Sequence, residues 1–151
     1  MDFRKAEESD VKEIVRMLAD DDLGASREKY EHPLSAEYYD AFSAIQAQKG
    51  NEILLAVEGG NVLGCIQLTI IPGLARLGMK RAQIEGVRVD KKYRGRKIGE
   101  ALFLEAIRIA KDEGCGLVQL TTDKQRPDAY RFYEKLGFTA SHEGMKLILK
   151  S

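Results

Sequence analysis

The sequence is poor in the residues that build covalent or metal frameworks: 151 residues hold two cysteines, Cys65 and Cys115, and two histidines, His32 and His142. Two isolated cysteines imply no disulfide framework, and both sit in apolar stretches where a reduced thiol packs as a small hydrophobe. His142-Glu143 lacks the second histidine of an H-E-x-x-H zinc run, because Met145 and Lys146 fill that region. Neither cysteine has metal-ligand spacing, so no metal is expected. No apolar run approaches the ~20 residues that cross a bilayer, which argues against a membrane partner. The opening MDFRKAEESD has no apolar segment of signal-peptide type, and the default location is the cytoplasm. No internal repeat, low-complexity tract or Pro/Ser-rich linker interrupts the chain, so one domain over residues 1–151 is expected, large enough to bury a core.

Net charge is also missing: 24 basic side chains balance 24 acidic ones. The balance hides a gradient. Residues 1–50 carry twelve acids against seven bases, and the remainder reverses that excess. The positive density peaks between Lys80 and Lys97, where eight bases face only Glu85 and Asp90. A run of this kind is either a solvated face or an anion site.

Hydrophobic periodicity outlines the elements. Phe3 to Ala6 reads as a first strand, and Val11, Ile14, Val15 and Leu18 form a helical stripe that Ser9 is placed to cap. Asp20, Asp21, Asp22 and Gly24 predict a polar loop, and a second helix is expected from about Ser35 to Gln48. Glu52–Val57 and Asn61–Ile71 flank Gly59-Gly60, the signature of a hairpin, and extended character resumes from Met79 to Val89. Ile98–Asp112 is apolar over a wide stripe, as for a helix pressed on a sheet. Leu117–Thr122 reads as a buried strand joined in parallel through that helix. Pro127 opens a last helix that Gly137 closes, and Phe138–Ser141 with Met145–Leu149 read as a closing strand pair. The expected class is α/β (α+β), a mixed and mostly antiparallel sheet flanked by about four helices.

The richest stretch is QIEGVRVDKKYRGRKIGEAL, residues 83–102: a strand, a basic turn and a helix start. Helix starts leave backbone N–H groups without partners and carry the positive end of the helix dipole, so a glycine-bearing basic turn there suits a pyrophosphate. A Walker loop and a G-x-G-x-x-G fingerprint are both absent. After the strand comes R-x-x-K-x-G, from Arg94 through Lys97 to Gly99. Further on, Arg126, Ala129, Tyr133, Gly137 and Phe138 are spaced in RPDAYRFYEKLGF as N-x-x-A-x-x-x-Y-x-x-x-G-F would require.

On these two motifs the chain resembles the GNAT superfamily of acyl-CoA-dependent N-acyltransferases, whose turn reads [QR]-x-x-G-x-[GA]. The order of elements matches from Met1 to about Leu149. Lys97 stands where the family has its central glycine, and Arg126 where it has asparagine. The resemblance implies a sheet whose neighbouring strands splay around the acyl-CoA arm. It implies that backbone groups of Val87, Arg88 and Val89 bind the pantetheine like an added strand. Cofactor contacts are expected from Arg94, Gly95, Arg96, Lys97, Ile98, Gly99 and Glu100, the amides of the turn and helix start holding the pyrophosphate. Lys97 keeps that geometry only if it reaches dihedrals that glycine favours, and its ammonium then adds a phosphate contact. Arg126 occupies the place of a side chain that touches the cofactor arm.

For the chemistry, the resemblance places Tyr133 near the thioester sulfur as a general acid; read from its stripe with Ala129, Phe132 and Leu136, the same ring is core packing. A lysine-like amine titrates near ~10.4 and needs a base, and Glu85 is the candidate, unless it pairs with Arg81 or Arg88. Gln83 stands at one position where relatives carry that carboxylate. The expected function is transfer of an acetyl group from acetyl-CoA to a primary amine by direct attack in a ternary complex, since no cysteine lies in an acyl-enzyme motif. The acceptor is a small molecule or peptide, and a cationic one suits the acids Asp20, Asp21, Asp22, Glu28 and Glu31 in the loop about residues 19–38. Two rival readings remain: an acyl-CoA-binding sensor without catalysis, and a nucleic-acid module using Lys80 to Lys97, which a near-neutral total charge disfavours. Homodimers are common among members of the family.

Overall fold

The computed structural model describes residues 1–150, and their contacts fall into two compact units, Met1–Gln119 and the chain from Leu120 onward. The first unit holds strands β1 (Asp2–Lys5), β2 (Asn51–Glu58), β3 (Asn61–Ile71), β4 (Arg81–Val89) and β5 (Leu117–Gln119). They form one sheet in the order β1-β2-β3-β4-β5, antiparallel throughout except for the β4–β5 pair. Its helices are α1 (Val11–Leu18), α2 (Asp22–Arg27), α3 (Ala36–Ala47), the single turn α4 (Ala75–Gly78) and α5 (Ile98–Asp112). The second unit holds one helix, α6 (Pro127–Lys135).

Side chains alternate across a strand, so each strand here serves two layers. On one face Leu54, Ile66, Leu68 and Ile84 are at most 4% exposed, and α5 lies over β3 and β4 with Leu102, Phe103 and Ala106 fully buried. The approach is close at Gly64, where a Cβ would stand 2.7 Å from the Arg88 carbonyl oxygen and 3.1 Å from Leu102 Cδ1. On the opposite face Leu55 and Cys65 join Val11, Ile14, Val15, Met17 and Phe42 in a second core under α1 and α3. Burying a side chain of this size stabilises by roughly 1.5–3 kcal/mol, so both cores are needed.

Two irregularities in β4 position the site. Between the pairs Cys65↔Arg88 and Gln67↔Glu85, two β4 residues oppose Ile66 alone, and one of them is Gly86 at φ +60. This is a β-bulge at a left-handed glycine; it shifts the side-chain alternation and brings Arg88 to the Cys65 face. β4 also pairs with β5 only from Arg81 to Gln83, so Ile84 to Val89 run on without a β5 partner.

Several expectations are corrected. The residue before α1 is Asp10 and not Ser9: a 3-10 turn, Glu8–Asp10, comes first, and Asp10 accepts from the Glu7 amide at 2.8 Å and from both Arg4 Nη atoms at 2.7 and 2.9 Å. Of the loop expected at Asp20–Gly24, Asp20 and Asp21 stay outside a helix while Asp22 to Gly24 open α2, because the Asp21 carboxylate takes the Gly24 N–H at 2.5 Å and caps a helix start. The four expected helices are present as α1, α3, α5 and α6, and the described residues add two short ones, α2 and the turn α4, in which Arg76 and Leu77 are left-handed. The strand predicted to Thr122 stops at Gln119. Phe138–Ser141 and Met145–Leu149 form no strands; Ser141 N–H closes a local turn on the Thr139 oxygen, and Met145, Leu147, Ile148 and Leu149 are 71–94% exposed. Apolar, β-prone composition makes a strand only when a neighbour supplies the ladder.

Candidate active site

The basic turn is built on Asp90, a buried carboxylate (4% exposed) at the end of β4. Its own N–H donates to the Leu63 oxygen at 2.8 Å, and its carboxylate accepts the Lys92 N–H at 2.9 Å, capping a 3-10 turn over Lys91–Tyr93. The Arg16 guanidinium of α1 closes on the same carboxylate and holds Glu13 with two further bonds at 2.7 and 3.1 Å. Burial pushes the Asp90 carboxyl up, but the Lys92 amide and Arg16 outweigh it and leave it below its usual range. Arg16 in turn is held firmly charged by Glu13 and Asp90 against the opposing effect of burial. Sequence reasoning did not single out Asp90 or Arg16, because the pair spans 74 residues and carries no local signal.

Beyond this anchor the backbone turns through two left-handed residues, Gly95 (φ +84) and Lys97 (φ +58, ψ +30). Lys97 therefore occupies the region glycine favours, at a cost of about 1–3 kcal/mol. It is the N-cap of α5, with no side-chain cap, and the first helical bond runs from Ala101 N–H to its oxygen at 3.1 Å. The N–H groups of Ile98, Gly99 and Glu100 thus point from the helix start without intrahelical acceptors, a seat for an anion. The substitution of lysine for glycine does not block the turn: Lys97 is exposed.

The side chains of the turn divide. Arg94 and Lys97 are exposed, whereas Arg96 grips both Glu58 oxygens at 3.0 Å and lies 6.0 Å over the Tyr93 ring. Arg96 holds the Glu58 carboxyl below its ordinary range. Other bases between Lys80 and Lys97 are also engaged: Lys80 donates to the Glu113 oxygen at 2.9 Å, Lys91 lies 3.6 Å from Asp20, and Arg88 Nη1 donates to the Val87 oxygen at 2.8 Å. Arg88 Nε is buried without a hydrogen bond, 3.8 Å from Asp21.

Among the predicted residues, Glu85, Val87, Arg88 and Val89 lie on β4, and Arg94 to Glu100 come after it within the same unit. Glu85 is exposed and is the register partner of Gln67; no pair with Arg81 or Arg88 forms. The acidic loop is partly neutralised from within: Asp20 faces Lys91, Asp21 caps α2, and Glu28 accepts the Tyr38 hydroxyl at 2.8 Å. A cleft of about 480 Å³ opens there between Ala19, Asp20, Ala25, Glu28, Tyr30 and Lys91.

In the second unit, Arg126 is the N-cap of α6 and Tyr133 lies in its second turn. Ala129, Phe132, Tyr133 and Leu136 are half-buried, as the stripe predicts. The Tyr133 ring meets Phe132 and Phe138 edge-on at 5.7 and 6.2 Å, and its carbonyl accepts the Phe138 N–H at 3.1 Å. Neither thiol is primed as a nucleophile: burial pushes Cys65 up to about 12 and raises Cys115 as well. Among the described residues no group of three or more metal-ligating side chains converges, and no helix is long and apolar enough to cross a membrane.

The model of the Acetyltransferase (GNAT) family matches residues 15–138. A glucosamine 6-phosphate N-acetyltransferase from Trypanosoma brucei brucei is 32% identical over 143 residues, covering 89% of this chain and 95% of its own. An aminoalkylphosphonate N-acetyltransferase from Salmonella typhimurium is 32% identical over 105 residues, 70% of this chain and 68% of its own. A crystal structure from Bacillus halodurans C-125, of a protein described as a transcriptional regulator, superposes with a TM-score of 0.95 at 51% identity over 98% of this chain and 99% of that one.

Proposed function

We propose that this chain, which belongs to the acetyltransferase (GNAT) family and is an acetyl-CoA-dependent acyltransferase, moves the acetyl group to a small primary amine by direct attack. One observation carries the reading: the left-handed turn at Gly95 and Lys97 opens α5 with three N–H groups that lack intrahelical acceptors, beside the stretch of β4 that β5 leaves unpaired. Those groups fit a diphosphate, and the β4 backbone from Val87 to Val89 fits an extended amide-bearing arm.

In the reaction the neutral amine attacks the thioester carbonyl carbon, a C–N bond forms and the C–S bond breaks. Tyr133 gives its proton to the departing thiolate, and the proton lost by the amine goes to Glu85 or to a water beside it. Support for Tyr133 is its place in the motif that closes α6; support for Glu85 is its exposed carboxylate on β4. A covalent route through cysteine is disfavoured by the raised thiols. The Trypanosoma and Salmonella relatives are both named for small amines that carry a phosphoryl or phosphonyl group, which favours a small-molecule acceptor over a protein. Cationic steering is weaker than the loop composition suggests, because Asp20 and Asp21 have basic neighbours of their own.

A second reading is tested alongside because the Bacillus halodurans protein is described as a transcriptional regulator. Its electrostatic footprint here is poor, since Lys80, Arg88, Lys91 and Arg96 of the basic run are engaged within the protein. Acetyl-CoA is expected to raise the melting temperature, and thiol release is expected with small amines and to be lost in Tyr133→Phe. No stabilisation by acetyl-CoA, with salt-dependent binding of duplex DNA instead, would overturn the proposal.

A further inference from the structure

One face of the sheet changes character along its length. Under α1 and α3 it is apolar, with Leu55 and Cys65 in the core. Further along the strands, past Ile53 on β2, it becomes a row of polar side chains, one of which, Glu85, is charged. Register places Gln67 opposite Glu85 and Thr69 opposite both Asn51 and Gln83, and the parallel pairing sets Gln119 beside Gln83. Directly opposed residues share a face, so these six stand together. The row is hydrogen-bonded across strands: Gln67 Nε2 and Thr69 Oγ1 donate to Asn51 Oδ1 at 3.0 and 3.3 Å, and Gln119 Nε2 donates to Gln83 Oε1 at 2.8 Å. Thr69 is buried, Asn51, Gln67 and Gln83 are half-buried, and Glu85 and Gln119 are exposed.

Sheet stability does not call for such a row, since apolar or β-branched pairs pack better at half-buried positions. The internal bonds also leave capacity over. Gln67 keeps a carbonyl oxygen, and the Gln83–Gln119 pair keeps one donor and one acceptor whichever way the two amides are turned. Glu85 supplies the only charge of the six. We infer that this row is the floor on which the acceptor lies, and that it selects a primary amine bearing hydroxyl groups on neighbouring carbons. Hydroxyls both donate and accept, which matches a row of amides, while the amino end is drawn to Glu85. An unadorned alkylamine would leave these polar groups unpaired and desolvated. The inference rests on the acetyl-transfer reading for its biological sense, but the binding it describes is measured separately.

The test uses D-glucosamine against n-propylamine. Replacing Gln83 by leucine (Gln83→Leu), and separately Gln67→Leu, is expected to raise KM for glucosamine about tenfold, as loss of one or two hydrogen bonds would. KM for n-propylamine is expected to fall, because leucine removes a polar group that this amine leaves unpaired, and the melting temperature, the control for folding, is expected not to drop. In the unmodified protein, glucosamine is expected to shift the side-chain amide resonances of Gln67, Gln83 and Gln119 in NMR spectra, and n-propylamine to leave them in place. Shifts without any thiol release would remove the transfer reading and keep the acceptor floor. Turnover of glucosamine with those amides unmoved, or equal losses for both amines in the variants, would overturn the inference.

Discussion

The two faces of the sheet make different demands on the same strands. The α5 face is apolar through its centre, from Leu54 through Ile66 and Leu68 to Ile84, with the Lys5–Glu52 ion pair at its β1–β2 edge, and its partner helix presents Leu102, Phe103 and Ala106 with no exposed surface at all. The α1/α3 face is apolar at one end and polar at the other, and it carries Arg88, Glu85 and Gln83 on the strand that also leads into the basic turn. Both faces carry a core; the α1/α3 face gives up packing at one end to hold groups that can act on a ligand. Within 20 residues β4 and the turn after it contain a bulge, an unpaired edge, a buried carboxylate and three left-handed residues, irregularities of the kind that gather where a protein binds.

Perturbing the α5 face should produce the largest effect. Phe103→Ala is expected to cost about 3–5 kcal/mol in chemical denaturation, enough to unfold a marginal domain, because the ring is fully buried. A cost below about 1 kcal/mol would mean that the two faces share the load evenly. Next is Asp90→Ala, which removes the anchor beneath the turn and leaves Arg16 with Glu13 alone; about 3 kcal/mol is expected, together with loss of the thermal shift caused by acetyl-CoA. Asp90 also sets a pH dependence. Its carboxyl titrates below the ordinary value, so its stabilisation is present above about pH 4 and is lost as pH falls through the depressed folded value. Unfolding measured from about pH 5 to about pH 2 should therefore show a shallower slope in Asp90→Asn than in the native chain.

Lys97 tests the turn itself. Lys97→Gly relieves the left-handed strain, offset by the entropy glycine loses on folding, and a gain of about 1 kcal/mol or less is expected with acetyl-CoA binding kept. Lys97→Val, a β-branched residue in the same region, is expected to lose both stability and the ligand-induced thermal shift; unchanged binding would separate the turn from the cofactor. The smallest effect belongs to Glu58→Gln. It frees the exposed Arg96 and should leave stability unaltered, while acetyl-CoA binding tightens a few-fold and becomes more sensitive to salt.

Legibility followed distance along the chain. Ile98–Asp112 was readable to the residue because a 3.6-residue period and a glycine-bearing start are local signals. The β2–β3 hairpin was readable for the same reason, with Gly59-Gly60 between two β-rich runs. The cap of α1 was misplaced by one position, since Arg4 reaches across from β1 to hold Asp10 and sequence spacing does not show that. The acidic loop looked free and is not: Tyr38, Lys91 and Arg88 meet its carboxylates from three separate elements. The polar row was invisible for a further reason. Its six members come from four strands, and only register with a bulge decides which side chains share a face.

By itself the sequence determined the family, through two spaced motifs, and the strand–turn–helix proposed to seat a diphosphate, because backbone geometry at a helix start depends on neighbours in the chain. Tertiary structure alone decided that Lys97 takes a left-handed conformation, that Asp90 and Arg16 lock the turn, and that Gln67, Thr69, Gln83 and Gln119 face one way. Burial, pairing and register are properties of what folds alongside a residue, and the order of letters leaves them open until the chain packs.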